Sequence, residues 1–157
     1  MANVQKGKLI LDGYEFEVKD CSETAFFLFD DDEDDDDDER DAMTKTVSMD
    51  VCFEEGQFGK EKVSPSLIIN EFATGKECID DIIGMEFEVK DVEEADERED
   101  TMYVFEHEPL VNYKLKILGR DGDIVHVKIS GTAITDGYSD SEQTAEFEGE
   151  FWLICKE

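Results

Sequence analysis

The chain has 157 residues, with 44 Asp and Glu against 15 Lys and Arg, and a formal net charge of −29. A field of that sign repels phosphate backbones and anionic lipid surfaces and draws in basic proteins, so nucleic acid and membranes are excluded as partners. At 39% hydrophobic residues, 11 of them Phe, the chain still has enough apolar material to bury a core, which excludes wholesale disorder.

The first eight residues, Met1–Lys8, contain no apolar core of signal-peptide length, and no later stretch approaches a membrane span. Cys21, Cys52, Cys78 and Cys155 lie far apart and form no CxxC pair. They read as reduced thiols of a cytoplasmic protein. Lys8–Leu11, Asp12-Gly13 and Tyr14–Lys19 read as strand, primed two-residue turn and strand. Thr24–Phe29 is a short apolar strand that leads into Asp30–Asp41. That run, DDDEDDDDDERD, holds eleven carboxylates and one arginine; it carries −10 and leaves −19 on the rest. It is expected to be a solvated loop over 30–41, because like charges repel and extend the backbone.

Val47, Met49, Val51 and Phe53 alternate with polar residues, as a half-buried strand does. Ser66–Phe72 is a further strand, with Pro65 at its edge. Within Lys76–Ile83, Ile79, Ile82 and Ile83 fall at i, i+3 and i+4, which predicts one short helix near 76–83 with Gly84 at its end. Gly84-Met-Glu-Phe-Glu-Val-Lys-Asp91 then repeats Gly13-Tyr-Glu-Phe-Glu-Val-Lys-Asp20 at seven of eight positions, 71 residues on. The echo implies a duplicated β unit, spanning 8–74 and 79–157, inside one domain of residues 1–157. Phe16 and Phe87 are expected at related core positions. After the second copy, Asp91–Asp100 holds seven acids and one arginine and reads as a second acidic segment.

Met102–Phe105, Tyr113–Leu118, Ile124–Ile134 and Ala145–Cys155 complete about ten short strands. With Gly119–Asp123 as a hairpin turn, Tyr113, Leu115 and Ile117 share a face with Val125, Val127 and Ile129. Lys114 and Lys116 then face Lys128 and His126, a like-charge clash. Setting Ile129 opposite Gly149 relieves it: Glu150 falls opposite Lys128, and Phe147, Phe151 and Leu153 join the apolar face. The fold class predicted is mainly β, an antiparallel sandwich or barrel.

No GxGxxG, GxxxxGK[ST] or HExxH motif is present, and His107 and His126 lack metal-ligand spacing. Among 44 acids, carboxylate pairs occur everywhere and select no catalytic site. The acid run lacks the glycine at which a calcium loop turns, so it specifies no fixed cage. Asp121-Gly-Asp123 and Asp136–Glu142 are explained by turn chemistry. No cofactor, metal or enzymatic activity is expected, and nothing in the sequence sets an oligomeric state.

The expected function is that of an acidic cytoplasmic protein that covers a basic protein partner. In its most specific form this is an immunity protein or antitoxin against a nuclease-type toxin, whose cationic groove an acidic surface would fill. The partner surface is assigned to two segments. The first is Asp30, Asp31, Asp32, Glu33, Asp34, Asp35, Asp36, Asp37, Asp38 and Glu39, and the second Glu93, Glu94, Asp96, Glu97, Glu99 and Asp100. The alternatives are a β-barrel enzyme or small-ligand carrier, marked by a deep pocket lined by aromatics and a few carboxylates, and a weak calcium-binding acidic module.

Overall fold

Residues 7–19, 24–30, 45–76, 78–104, 107–136 and 143–156 are described in this computed structural model. The N-terminal half gives β1 (Gly7–Leu11), β2 (Tyr14–Glu17), β3 (Ala25–Asp30), β4 (Lys45–Cys52), β5 (Gly56–Phe58), β6 (Glu61–Val63) and β7 (Ser66–Ala73). The C-terminal half gives α1 (Ile79–Ile82), β8 (Glu86–Val89), α2 (Val92–Arg98), β9 (Thr101–Tyr103), β10 (His107–Asp121), β11 (Ile124–Asp136) and β12 (Gln143–Lys156).

Local sequence explains the hairpins. Asp12 and Gly13 both take positive φ, 53° and 83°, which is the primed turn that Asp-Gly predicts between β1 and β2. Over Tyr113–Ile117, Val125–Ser130 and Ala145–Leu153 the alternation is unbroken, and the predicted register holds: Ile129 pairs with Gly149 and Lys128 with Glu150. Leu115 pairs with Ile129 and Ile117 with Val127, and all four are buried.

Seven strands close into a barrel. The order is β11-β10-β9-β7-β4-β3-β12, and β12 pairs back onto β11. Strand direction cannot alternate all the way round a ring with an odd number of strands, so one junction must be parallel. That junction is β12 with β3, where Cys155 meets Phe26 and Lys156 meets Phe27. Every other junction of the ring is antiparallel. β1 and β2 extend the sheet beyond β12, and β8 extends it beyond β10. β5 and β6 make a separate hairpin.

The mainly-β class is therefore correct, and the architecture is a barrel. Two details correct the expectation. The sheet is mixed rather than wholly antiparallel, and β10, β11 and β12 are long, at 15, 13 and 14 residues. Their length lets one side of β10 pair first with β9 and then with β8, while β12 pairs with β1 and then with β3. The predicted helix is present as the single turn of α1, and Gly84 follows it at φ 96°. The helix α2 and the β5–β6 hairpin were not expected.

The two echo strands lie at opposite ends of one six-stranded run, β8-β10-β11-β12-β1-β2. Their phases match. Phe16 and Val18 are buried in the first, and Phe87 and Val89 in the second, while Glu15, Glu17, Glu86 and Glu88 are exposed. Both phenylalanines belong to the one continuous core, and Phe87 stacks on Phe72 with centroids 4.6 Å apart. Truncating either to Ala should cost about 3–5 kcal/mol through lost transfer energy and a residual cavity. The exposed neighbour substitution Glu15→Ala should stay within about 0.5 kcal/mol of wild type. Urea unfolding midpoints check both.

Candidate docking surface

The outer face of the six-stranded run is a ladder of charges. One row crosses the strands as Glu86, Lys116, Lys128, Glu150, Lys8 and Glu17. The next runs Glu88, Lys114, Ser130, Glu148, Ile10 and Glu15. The like-charged pair Lys116–Lys128 is thus flanked by glutamates on both sides, which offsets its repulsion. Lys8 closes an ion pair of 3.1 Å on Glu15. With four lysines against six glutamates, these rows are close to balanced. The chain's large negative surplus therefore lies elsewhere.

Part of it lies on α2. Asp91 caps the helix by accepting from the Glu94 N–H at 2.9 Å. Glu94 reaches back to the Lys90 N–H at 3.3 Å, one residue before the cap. Acids in the first turn also suit the positive end of the helix dipole. Val92 is half-buried and Ala95 fully buried, while Glu93, Glu94, Asp96 and Glu97 are exposed. The helix ends at Glu99, whose φ of 64° lies in the left-handed region unusual for a side chain with a Cβ. The Asn70 amide, donating to the Glu99 carbonyl at 2.7 Å, holds it there.

Asp100 anchors this segment. It is 0% exposed, and its carboxylate accepts three hydrogen bonds: from the Asn70 N–H at 2.7 Å, Arg98 Nε at 2.6 Å and the Tyr113 hydroxyl at 2.6 Å. Its N–H donates to the Ala95 carbonyl, and its own carbonyl accepts from Leu110. Arg98 further donates to the Asn70 and Glu71 carbonyls and lies 3.7 Å over the Phe72 ring. One buried carboxylate therefore ties α2 to β7 and β10. Burial first, then the Asp100 hydrogen bond and charge, push the Tyr113 hydroxyl far above its ordinary range. Burial pulls Arg98 down, but the hydrogen bond and charge of Asp100 help to outweigh it and leave it raised.

The assigned partner residues divide accordingly. Glu93, Glu94, Asp96, Glu97 and Glu99 are exposed on or just after α2. Asp100 is a correction: it is buried and fully engaged, so it cannot face a partner. Asp30 is the last residue of β3, its backbone paired with Lys45. Asp31, Asp32, Glu33, Asp34, Asp35, Asp36, Asp37, Asp38 and Glu39 lie outside the described residues, as do the loop and calcium expectations attached to them.

His126 sits on the lysine-bearing face as expected, but not alone. It stacks on Trp152 at 4.3 Å, with one ring nitrogen 2.6 Å from the Glu150 carboxylate. Among the described residues no group of three or more His, Cys, Asp or Glu is arranged to hold a metal. An open depression of about 980 Å³ is lined by residues of β1, the β1–β2 turn, the middle of β10 and β11 and the start of β12. Asn112, Ser130, Thr132, Thr144, Glu146 and Glu148 contribute to its largely polar lining; carboxylates are present, but Phe147 is its single aromatic and the depression is open rather than deep. No described helix is long and apolar enough to cross a membrane. No family model, curated protein or solved structure matches the chain.

The anchor has a signature in stability. Tyr113→Phe removes one hydrogen bond to a charged acceptor and should cost about 1.5–3 kcal/mol. Asp100→Ala should cost more, because it strands Arg98 and Tyr113 together. The Tyr113 pKa is raised on folding, so its contribution is complete below pH ~10 and declines as pH rises further, where only the unfolded chain releases the proton. Chemical denaturation between pH 8 and 11 should show that decline in wild type and a smaller one in Tyr113→Phe.

Proposed function

We propose that this chain is an acidic binding protein that covers a basic protein partner, and that its α2 segment supplies part of the contact surface. The observation that carries the reading is the exposed acid row on α2, fixed to the barrel through a buried carboxylate. A mobile acid tail would lose entropy on binding; a capped helix held by Asp100 presents Glu93, Glu94, Asp96 and Glu97 already ordered. The net charge of −29 adds long-range attraction for a cation, which speeds capture. In the most specific version the partner is a nuclease-type toxin and this chain its immunity protein or antitoxin. A cationic substrate groove is the surface an acidic cover would occupy, and fast capture is what protection requires. The cytoplasm is the proposed location, consistent with Cys78 exposed beside Asp81, its Sγ 3.4 Å from the carboxylate.

Stopped-flow association with a purified cationic nuclease tests this reading. The association rate should fall at least about tenfold between low and high salt, as exposed charges are screened beyond ~8 Å at physiological ionic strength. Converting Glu93, Glu94, Asp96 and Glu97 to their amides should slow association more than it speeds dissociation. A rate indifferent to salt, or a partner bound equally well by the amide variant, would contradict the proposal.

A further inference from the structure

The six-stranded run has two ends, and they are finished differently. At one end β2 is covered. The Glu17 carbonyl accepts from the Glu54 N–H at 2.8 Å, and the Lys19 N–H donates to the Cys52 carbonyl at 2.8 Å. Val18 forms a bridge with Phe53. β5 packs against the same strand so closely that a Cβ on Gly56 would stand 2.9 Å from the Phe16 ring.

At the other end β8 carries the same sequence with no such cover among the described residues. Ile117 exchanges bonds with the Gly84–Met85 end: the Gly84 N–H donates to its carbonyl, and its N–H donates to the Met85 carbonyl. The register then sets Leu115 opposite Phe87 and Tyr113 opposite Val89. Alternation in an antiparallel ladder sends the backbone groups of Phe87 and Val89 inward to β10, and those of Glu86 and Glu88 outward. No other described strand lies beyond them. The edge stops at Lys90, whose N–H is taken by Glu94. The carbonyl of Glu88 corresponds to that of Glu17, so the position that is bonded in one copy of the echo is open in the other.

The neighbours of the echo strand state which occupant fits. In the first copy, Lys8 of β1 stands opposite Glu17 and pairs with Glu15 at 3.1 Å. In the second, Lys114 and Lys116 of β10 stand opposite Glu88 and Glu86. Both copies thus match their outward glutamates to lysines on the strand alongside. A second copy of this chain, docking β8 against β8, would instead oppose glutamate to glutamate between two chains of −29 each.

We infer that the open edge of β8, at Glu86 and Glu88, docks an extended segment of a basic protein, with Lys or Arg at alternate positions, as an added strand. The inference rests on the basic-partner reading and assigns it a place. Main-chain bonds to Glu86 and Glu88 hold the strand, and alternate cations on the outer face select it. The same two carboxylates discourage self-pairing, so one device serves both purposes.

A peptide copying Asn112–Leu118, Asn-Tyr-Lys-Leu-Lys-Ile-Leu, is the probe, because it is the strand this sequence already accepts on its inner edge. With the ¹⁵N-labelled full chain, saturating peptide should slow amide exchange at Glu86 and Glu88 at least tenfold and leave Phe87 and Val89 unchanged. The same peptide with both lysines replaced by glutamate should not bind. Glu88→Pro removes one outward N–H, leaves the inward ladder intact, and should weaken binding at least tenfold. If that variant does not fold, Glu86→Gln combined with Glu88→Gln gives the same comparison through charge alone.

Protection at α2 rather than β8 would overturn the edge and leave the basic-partner reading standing. Equal binding by the glutamate peptide, or by the variants, would also overturn it. A self-associated chain that Glu88→Pro returns to monomer would assign the edge to a second copy and refute the proposal. Failure of the peptide to bind would refute the edge; salt-dependent capture of a cationic nuclease alongside that failure would spare the broader reading, and its absence would remove both.

Discussion

A closed apolar core has to form under a surface carrying −29, and the two-residue alternation of the strands is what permits it. In β2 and β8 each inward Phe has an outward Glu on both sides, so these strands serve the core and the charged surface at once. Lys8, Lys114, Lys116 and Lys128 each stand opposite at least one glutamate on the outer face. Concentrating cations there balances the one broad sheet face on which many charges stand less than a Debye length apart. The remaining surface is left strongly negative, and that asymmetry is the basis of the functional proposal.

The second constraint is closure. A seven-stranded ring needs one parallel junction, and the long β12 supplies it by running past β1 to reach β3. Closure leaves β1, β2 and β8 outside the ring as flaps. α2 is then fastened beside β10 through Asp100. Its burial with three donors gives an acidic segment a fixed shape, at the usual desolvation cost of a buried charge. The result combines a fixed acid helix with a β8 edge that no other described strand covers.

Much of the barrel was legible in the sequence because alternation is a local signal. The phase of both echo strands, the Asp12-Gly13 turn and the Ile129–Gly149 register could be read from apolar spacing and charge pairing alone. Barrel closure could not, since Cys155 and Phe26 are joined only through the fold. α2 was hidden by its composition: Val92 and Ala95 give a stripe of two residues inside seven acids. Asp91 followed three residues later by Glu94 was a capping signature that charge counting obscured. Asp100 had no local signal. Nothing distinguishes it in sequence from Glu99, yet a left-handed turn exposes one and buries the other.

The most direct measurement is capture of the native partner by the tagged full chain, with mass spectrometry and stepwise salt elution. The account predicts one basic protein in about one-to-one ratio, released as ionic strength rises. A partner retained at high salt, an acidic partner, or a small molecule turned over by the purified chain would contradict it.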